Sequence, residues 1–153
     1  MKRLTILVFC LLMVGCATRV FVRNQRQMQT QKLHGSYEQI FKSVTSVLQS
    51  NYVVIDNADM QTGLIHGYKE AEPHLLMQAI GGASRSRIDL QISLERISED
   101  TTQVRMTGRG LMYDRAGTII LTKDQMTQEN YTAYFNAFRR ELNSRGYDNP
   151  LTE

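Results

Sequence analysis

From residue 36 onward the apolar positions fall at helical spacing. Tyr37, Ile40, Phe41, Val44, Val47 and Leu48 share one stripe, and Ser36 with Gln39 three residues on is a capping-box start. Asn51 is expected to end this helix in a left-handed conformation. The period then changes. Tyr52-Val53-Val54-Ile55 is a β-branched run, a turn-rich segment containing Asp56, Asp59 and Gly63 follows, and Leu64-Ile65-His66-Gly67-Tyr68 completes a predicted hairpin. Residues 88–95 alternate strictly: Ile88, Leu90, Ile92 and Leu94 point one way, and Asp89, Gln91, Ser93 and Glu95 the other. After a turn at Ser98-Glu99-Asp100, Val104 and Met106 alternate with polar residues in a second such strand, so one face of the sheet is expected to be wet. Gly108 and Gly110 predict a bulge or a close backbone approach near that strand's end.

Another turn is expected at 113–117, and Tyr131, Tyr134, Phe135, Phe138 and Leu142 predict a second amphipathic helix from about Thr127 to Arg145, stopped by Gly146. A first short strand is expected at 28–33. These elements give an α+β fold, a two-layer sandwich in which an antiparallel sheet of four to five strands packs against two amphipathic helices. The domain is expected to span 28–147, with 148–153 a frayed tail.

One segment departs from the pattern. In EPHLLMQAIGGASRSR, residues 72–87, Pro73 and the Gly81-Gly82 pair bracket a short predicted helix carrying Leu75, Leu76, Met77 and Ile80, with Arg85 and Arg87 beside it. An apolar insertion this long between strands exceeds the usual loop. Its two readings are a contact surface for a partner, with these six residues as the candidate contacts, or a loop folded back over the sheet edge.

The N-terminus follows another logic. Lys2 and Arg3 precede an apolar run from Leu4 to Val14, too short for a spanning helix and ordered like a secretory signal. The chain has 153 residues, 42% hydrophobic and 22% charged, with two cysteines, Cys10 and Cys16, so its core is expected to hold without disulfides. The net charge of +3 becomes +1 once Lys2 and Arg3 are removed, which weakens any argument from basicity. Residues 17–27 start with a short apolar patch, Val20-Phe21-Val22, and are otherwise polar, with Arg19, Arg23 and Arg26 and no acid; they read as a tether near lipid phosphates or as a solvated linker.

Met13-Val14-Gly15-Cys16 resembles the lipobox of bacterial lipoproteins, with Met13 where leucine is usual. That resemblance implies removal of residues 1–15, lipidation of Cys16 and attachment to a membrane through acyl chains. Ala17 stands where an aspartate would imply inner-membrane retention, so the implied place is the periplasmic side of the outer membrane. The stretch from Tyr37 to Ile65 also resembles small lipoprotein domains of helix-grip type, such as those of the accessory lipoprotein of the outer-membrane β-barrel assembly machine. This likeness implies a fold and transfers no catalytic residue.

Candidate chemistry is sparse. His34, His66 and His74 lie on separate segments without metal-ligand spacing, and no nucleophile elbow or phosphate-binding glycine loop is present. Asp56 and Asp59 are expected in a turn, bonding their own backbone. Basic residues are interspersed with acids, which argues against nucleic acid. The expectation is a non-enzymatic, cofactor-free envelope lipoprotein that binds another envelope protein. The alternative is a carrier holding a lipid or other apolar ligand between helix and sheet, with Gly108 and Gly110 leaving room for it.

Overall fold

The computed structural model describes residues 28–71, 84–123 and 126–150. Its elements run β1 (Thr30–His34), α1 (Tyr37–Ser50), β2 (Val54–Asp59), β3 (Leu64–Ala71), β4 (Arg85–Arg96), β5 (Thr101–Tyr113), β6 (Ile119–Lys123) and α2 (Gln128–Ser144). The strands make one antiparallel sheet in the order β1-β5-β4-β3-β2. β5 is long enough to carry two neighbours along one side, β1 at 101–105 and β6 at 110–113. The fold is therefore α+β, with six strands among the described residues where the alternation predicts four to five. The extra strand is β6, whose Ile119 and Ile120 are consecutive apolar residues with no alternation to mark a face.

Both helices pack on the same side of the sheet. Ile65, Leu90, Ile92, Leu94, Val104 and Met106 from the strands meet Ile40, Val44 and Leu48 of α1 and Phe135, Phe138 and Leu142 of α2. The Phe135 and Phe138 rings meet edge to face at 5.8 Å, a geometry that adds to their burial. One buried charge belongs to this layer. Arg139, 5% exposed, donates to Gln31 Oε1 of β1 at 2.9 Å and to Asn136 Oδ1 at 3.2 Å. Burial lowers its pKa, and these polar contacts offset part of the desolvation.

The helix ends correct one expectation. At α1 the Gln39 side-chain oxygen accepts from the Ser36 N–H at 3.3 Å, as the capping box requires. At its other end Asn51 is not left-handed. Its φ is −96° and its side chain donates to the Val47 carbonyl at 2.8 Å. The left-handed residue is Tyr52, with φ +61°, a conformation that costs a non-glycine about 1–2 kcal/mol. Asn51 caps the helix through its amide, and the chain reverses one residue later. At α2 the Thr127 hydroxyl accepts from the Asn130 N–H at 3.3 Å, and Gly146 takes φ +90° just past the end.

Three further expectations change. Gly108 and Gly110 mark no bulge against β4, whose ladder with β5 runs through both without a register shift. The irregularities fall at Asp56 in β2 and between Met112 and Tyr113 facing β6. Gly108 does admit a close approach, because a Cβ there would overlap the Met126 side chain. The room assigned to a ligand at this glycine is filled by Met126. Finally, the tail is not frayed at its start. Asn149 is 1% exposed, accepts from the His34 N–H at 2.8 Å and donates to the His34 carbonyl at 2.9 Å. Asn143 holds its backbone in turn, at 2.8 Å and 3.0 Å. One asparagine side chain thus imitates a strand neighbour for β1, so the domain extends beyond 147.

Candidate functional site

Among the described residues, the sheet has one face covered by helices and one open. Along β4 the open face carries Arg85, Arg87, Asp89, Gln91, Ser93 and Glu95. The register sets Tyr68 opposite Asp89 and His66 opposite Gln91 on β3, and Val54 opposite Tyr68 on β2. These residues converge because side chains two apart on one strand, and directly opposite on the next, point the same way.

Arg87 is the centre. Its Nε donates to Asp89 Oδ1, and an Nη lies 3.9 Å from Asp56 Oδ2. The guanidinium stands over the Tyr68 ring, 4.0 Å from its centroid, close enough for a cation–π contact. Asp56 also faces His66 Nδ1 at 3.5 Å, an ion pair when the imidazole is protonated. Burial opposes the Arg87 charge, but the Asp89 hydrogen bond and charge, with Tyr113 and Asp56 adding, raise its pKa overall. The guanidinium is held by three side chains, Asp89, Asp56 and Tyr68, and at 27% exposure still presents an edge to solvent. Val54, 50% exposed, lies opposite Tyr68 and supplies apolar surface next to this centre, and Leu64, 43% exposed, lies further along the same face, opposite Ser93.

Placement of the sequence candidates is mixed. Arg85 and Arg87 are not part of a loop flank. Both are β4 residues on the open face, Arg85 with its guanidinium 6.0 Å from the Tyr113 ring centroid. Leu75, Leu76, Met77, Ile80, His74 and Cys16 lie outside the described residues. Asp56 is not in the turn. It occupies the β2 irregularity and so reaches both His66 and Arg87. Asp59 does bond its own turn, accepting from the Gln61 N–H at 2.8 Å and the Thr62 hydroxyl at 2.9 Å. These bonds, the Gln61 one foremost, hold its carboxyl below the usual carboxylate range. No cluster of three or more metal-binding side chains occurs among the described residues.

No family model matches the chain, and no curated protein does. Solved structures share parts of its path. The adenylate sensor from AMP-activated protein kinase, in complex with ZMP, is 11% identical at a TM-score of 0.42, covering 74% of this chain and 94% of that one. A conserved protein from Geobacillus kaustophilus is 14% identical at 0.37, covering 76% and 91%. A DUF4468 family protein from Bacteroides ovatus is 13% identical at 0.34, covering 81% and 87%. Function must be argued from this chain's own residues.

The sequence hid Tyr68, Asp89 and the role of Asp56. Reading the β4 alternation back from Ile88 to Arg85 would have aligned Arg85, Arg87 and Asp89 on the polar face. Their convergence with Tyr68 and Asp56 needs the strand register and the β2 bulge, which no local pattern encodes.

Proposed function

We propose that this chain is a non-enzymatic envelope lipoprotein, held by lipidated Cys16 on the periplasmic side of the outer membrane, whose open sheet face docks another envelope protein. The observation that carries the docking reading is the Arg87 centre: a guanidinium pre-positioned by Asp89, Asp56 and Tyr68, with half-exposed Val54 opposite Tyr68 and Leu64 further along the same face. Arginine, aromatic and aliphatic side chains together are the composition of interface centres, and a fixed side chain loses little entropy on binding. Support for the anchor is the lipobox resemblance at 13–16 and the polar run after it. Leu75, Leu76, Met77 and Ile80 are proposed to extend the same contact.

The test uses the full-length chain in its native membranes. Cys16→Ser is expected to release it from the membrane fraction. After chemical crosslinking, the wild type is expected to retain a stoichiometric envelope protein that Arg87→Glu combined with Leu64→Asp loses, with unchanged circular dichroism. Retention by that variant would count against the open face as the docking surface.

A further inference from the structure

Among the described residues, the covered side of the sheet is not covered everywhere. Beyond the C-terminal end of α1, a groove of about 480 Å³ runs between α2 and the β3–β4 pair, within the range of roughly 300–1,000 Å³ typical of small-ligand sites. Ile88 and Leu90 form its floor, and Tyr134 and Ala137 of α2 its wall. The wall follows from helix geometry. Residues 130, 133, 134 and 137 recur at three- and four-residue spacing and form a second stripe on α2, separate from the core stripe of Tyr131, Phe135, Phe138 and Leu142. The groove is also charged in one sense. Lys69 and Arg140 both line it, and no carboxylate does among the described residues. Neither cation makes an ion pair there with a described acid; Lys69 Nζ lies 6.0 Å from the centroid of the Tyr52 ring. That tyrosine is 83% exposed and holds its left-handed conformation next to Asn51, itself a groove residue. Strained, exposed side chains of this kind gather at binding sites.

We propose that this groove binds a fatty acid, the acyl chain against Ile88, Leu90, Tyr134 and Ala137 and the carboxylate at Lys69 and Arg140. An apolar trough takes up the chain through the hydrophobic effect. Two cations at one trough, with no acid partner among the described residues, select an anionic head over a neutral one. The site lies on the opposite side of the sheet from the Arg87 centre, so it stands or falls independently of the docking reading.

The test is photolabelling of the full-length protein in isolated native membranes with a mid-chain diazirine palmitic acid, and in parallel with the corresponding diazirine alcohol. Adducts are located by peptide mass spectrometry. The acid is expected to label α2 and β4 peptides. Lys69→Glu with Arg140→Glu should lower acid labelling there at least fivefold and leave alcohol labelling within twofold. Ala133→Trp, at an exposed helix position, should lower both without loss of helical circular dichroism. A groove filled by protein, from this chain or from a partner, leaves α2 and β4 unlabelled and overturns the proposal. Acid labelling unchanged by the charge reversal overturns it as well.

Discussion

The two faces of the sheet are built from the same strands and obey different constraints. On the covered face, Ile92, Val104 and Met106 are fully buried and meet the helices directly. On the open face, one register step away, Arg87, Asp89 and His66 keep contact with water. The covered face has to exclude solvent, so its side chains are interchangeable in kind and fixed in volume. The open face has no such demand. Its fixed guanidinium costs desolvation without adding to the core, and the proposed partner contact rests on that difference.

Breaking the covered face gives the largest effect. Phe138→Ala removes a fully buried ring that touches both Tyr134 and Phe135, and is expected to cost about 3–5 kcal/mol in urea denaturation. Loss of less than about 1 kcal/mol would mean that α2 contributes little to the core. Asn149→Ala tests the edge that both faces share. It leaves the His34 N–H and carbonyl without their partner, so a loss of about 1–3 kcal/mol is expected, with faster amide exchange at His34.

The hairpin end between β2 and β3 sharpens the comparison through pH. The Asp59 carboxyl is depressed by the Gln61 N–H and the Thr62 hydroxyl, so its contribution is present above the ordinary carboxylate value of about 3.9. That contribution is lost as pH falls through the lower folded value. Thermal melts at pH 7 and pH 3 are therefore expected to differ less for Asp59→Asn than for the wild type. Equal acid sensitivity would remove the turn from the account. Smallest is Arg87→Gln. Its partners are part-exposed, so stability should change by no more than about 1 kcal/mol, while partner retention drops. A large stability loss would make the Arg87 centre a structural clasp.

How much of this was legible follows the same division. The Tyr37-to-Leu48 stripe, the 88–95 alternation and the Thr127 start of α2 each state their element locally, because burial of one face imposes a period on the sequence. β6 was not legible, since Ile119-Ile120 carries no period. The Asn149 clasp was not legible either, because it joins residues 115 positions apart through one side chain. The open face is hardest for a physical reason. Solvent tolerates any polar residue, so the sequence there shows polarity without showing which residues meet. Arg85 and Arg87 stood out through their neighbours in 72–87, yet apart from Asp89, two residues on in β4, their partners come from β2, β3 and β5 through register.

The central claim is that the open face of the sheet meets a partner. The direct measurement is site-specific photocrosslinking in cells, with a photoreactive amino acid replacing Gln91, exposed on the open face, or Gln49, exposed on α1. The account predicts one defined adduct with an envelope protein from position 91 and none from position 49. Crosslinking from position 49 alone, or from neither, would contradict it.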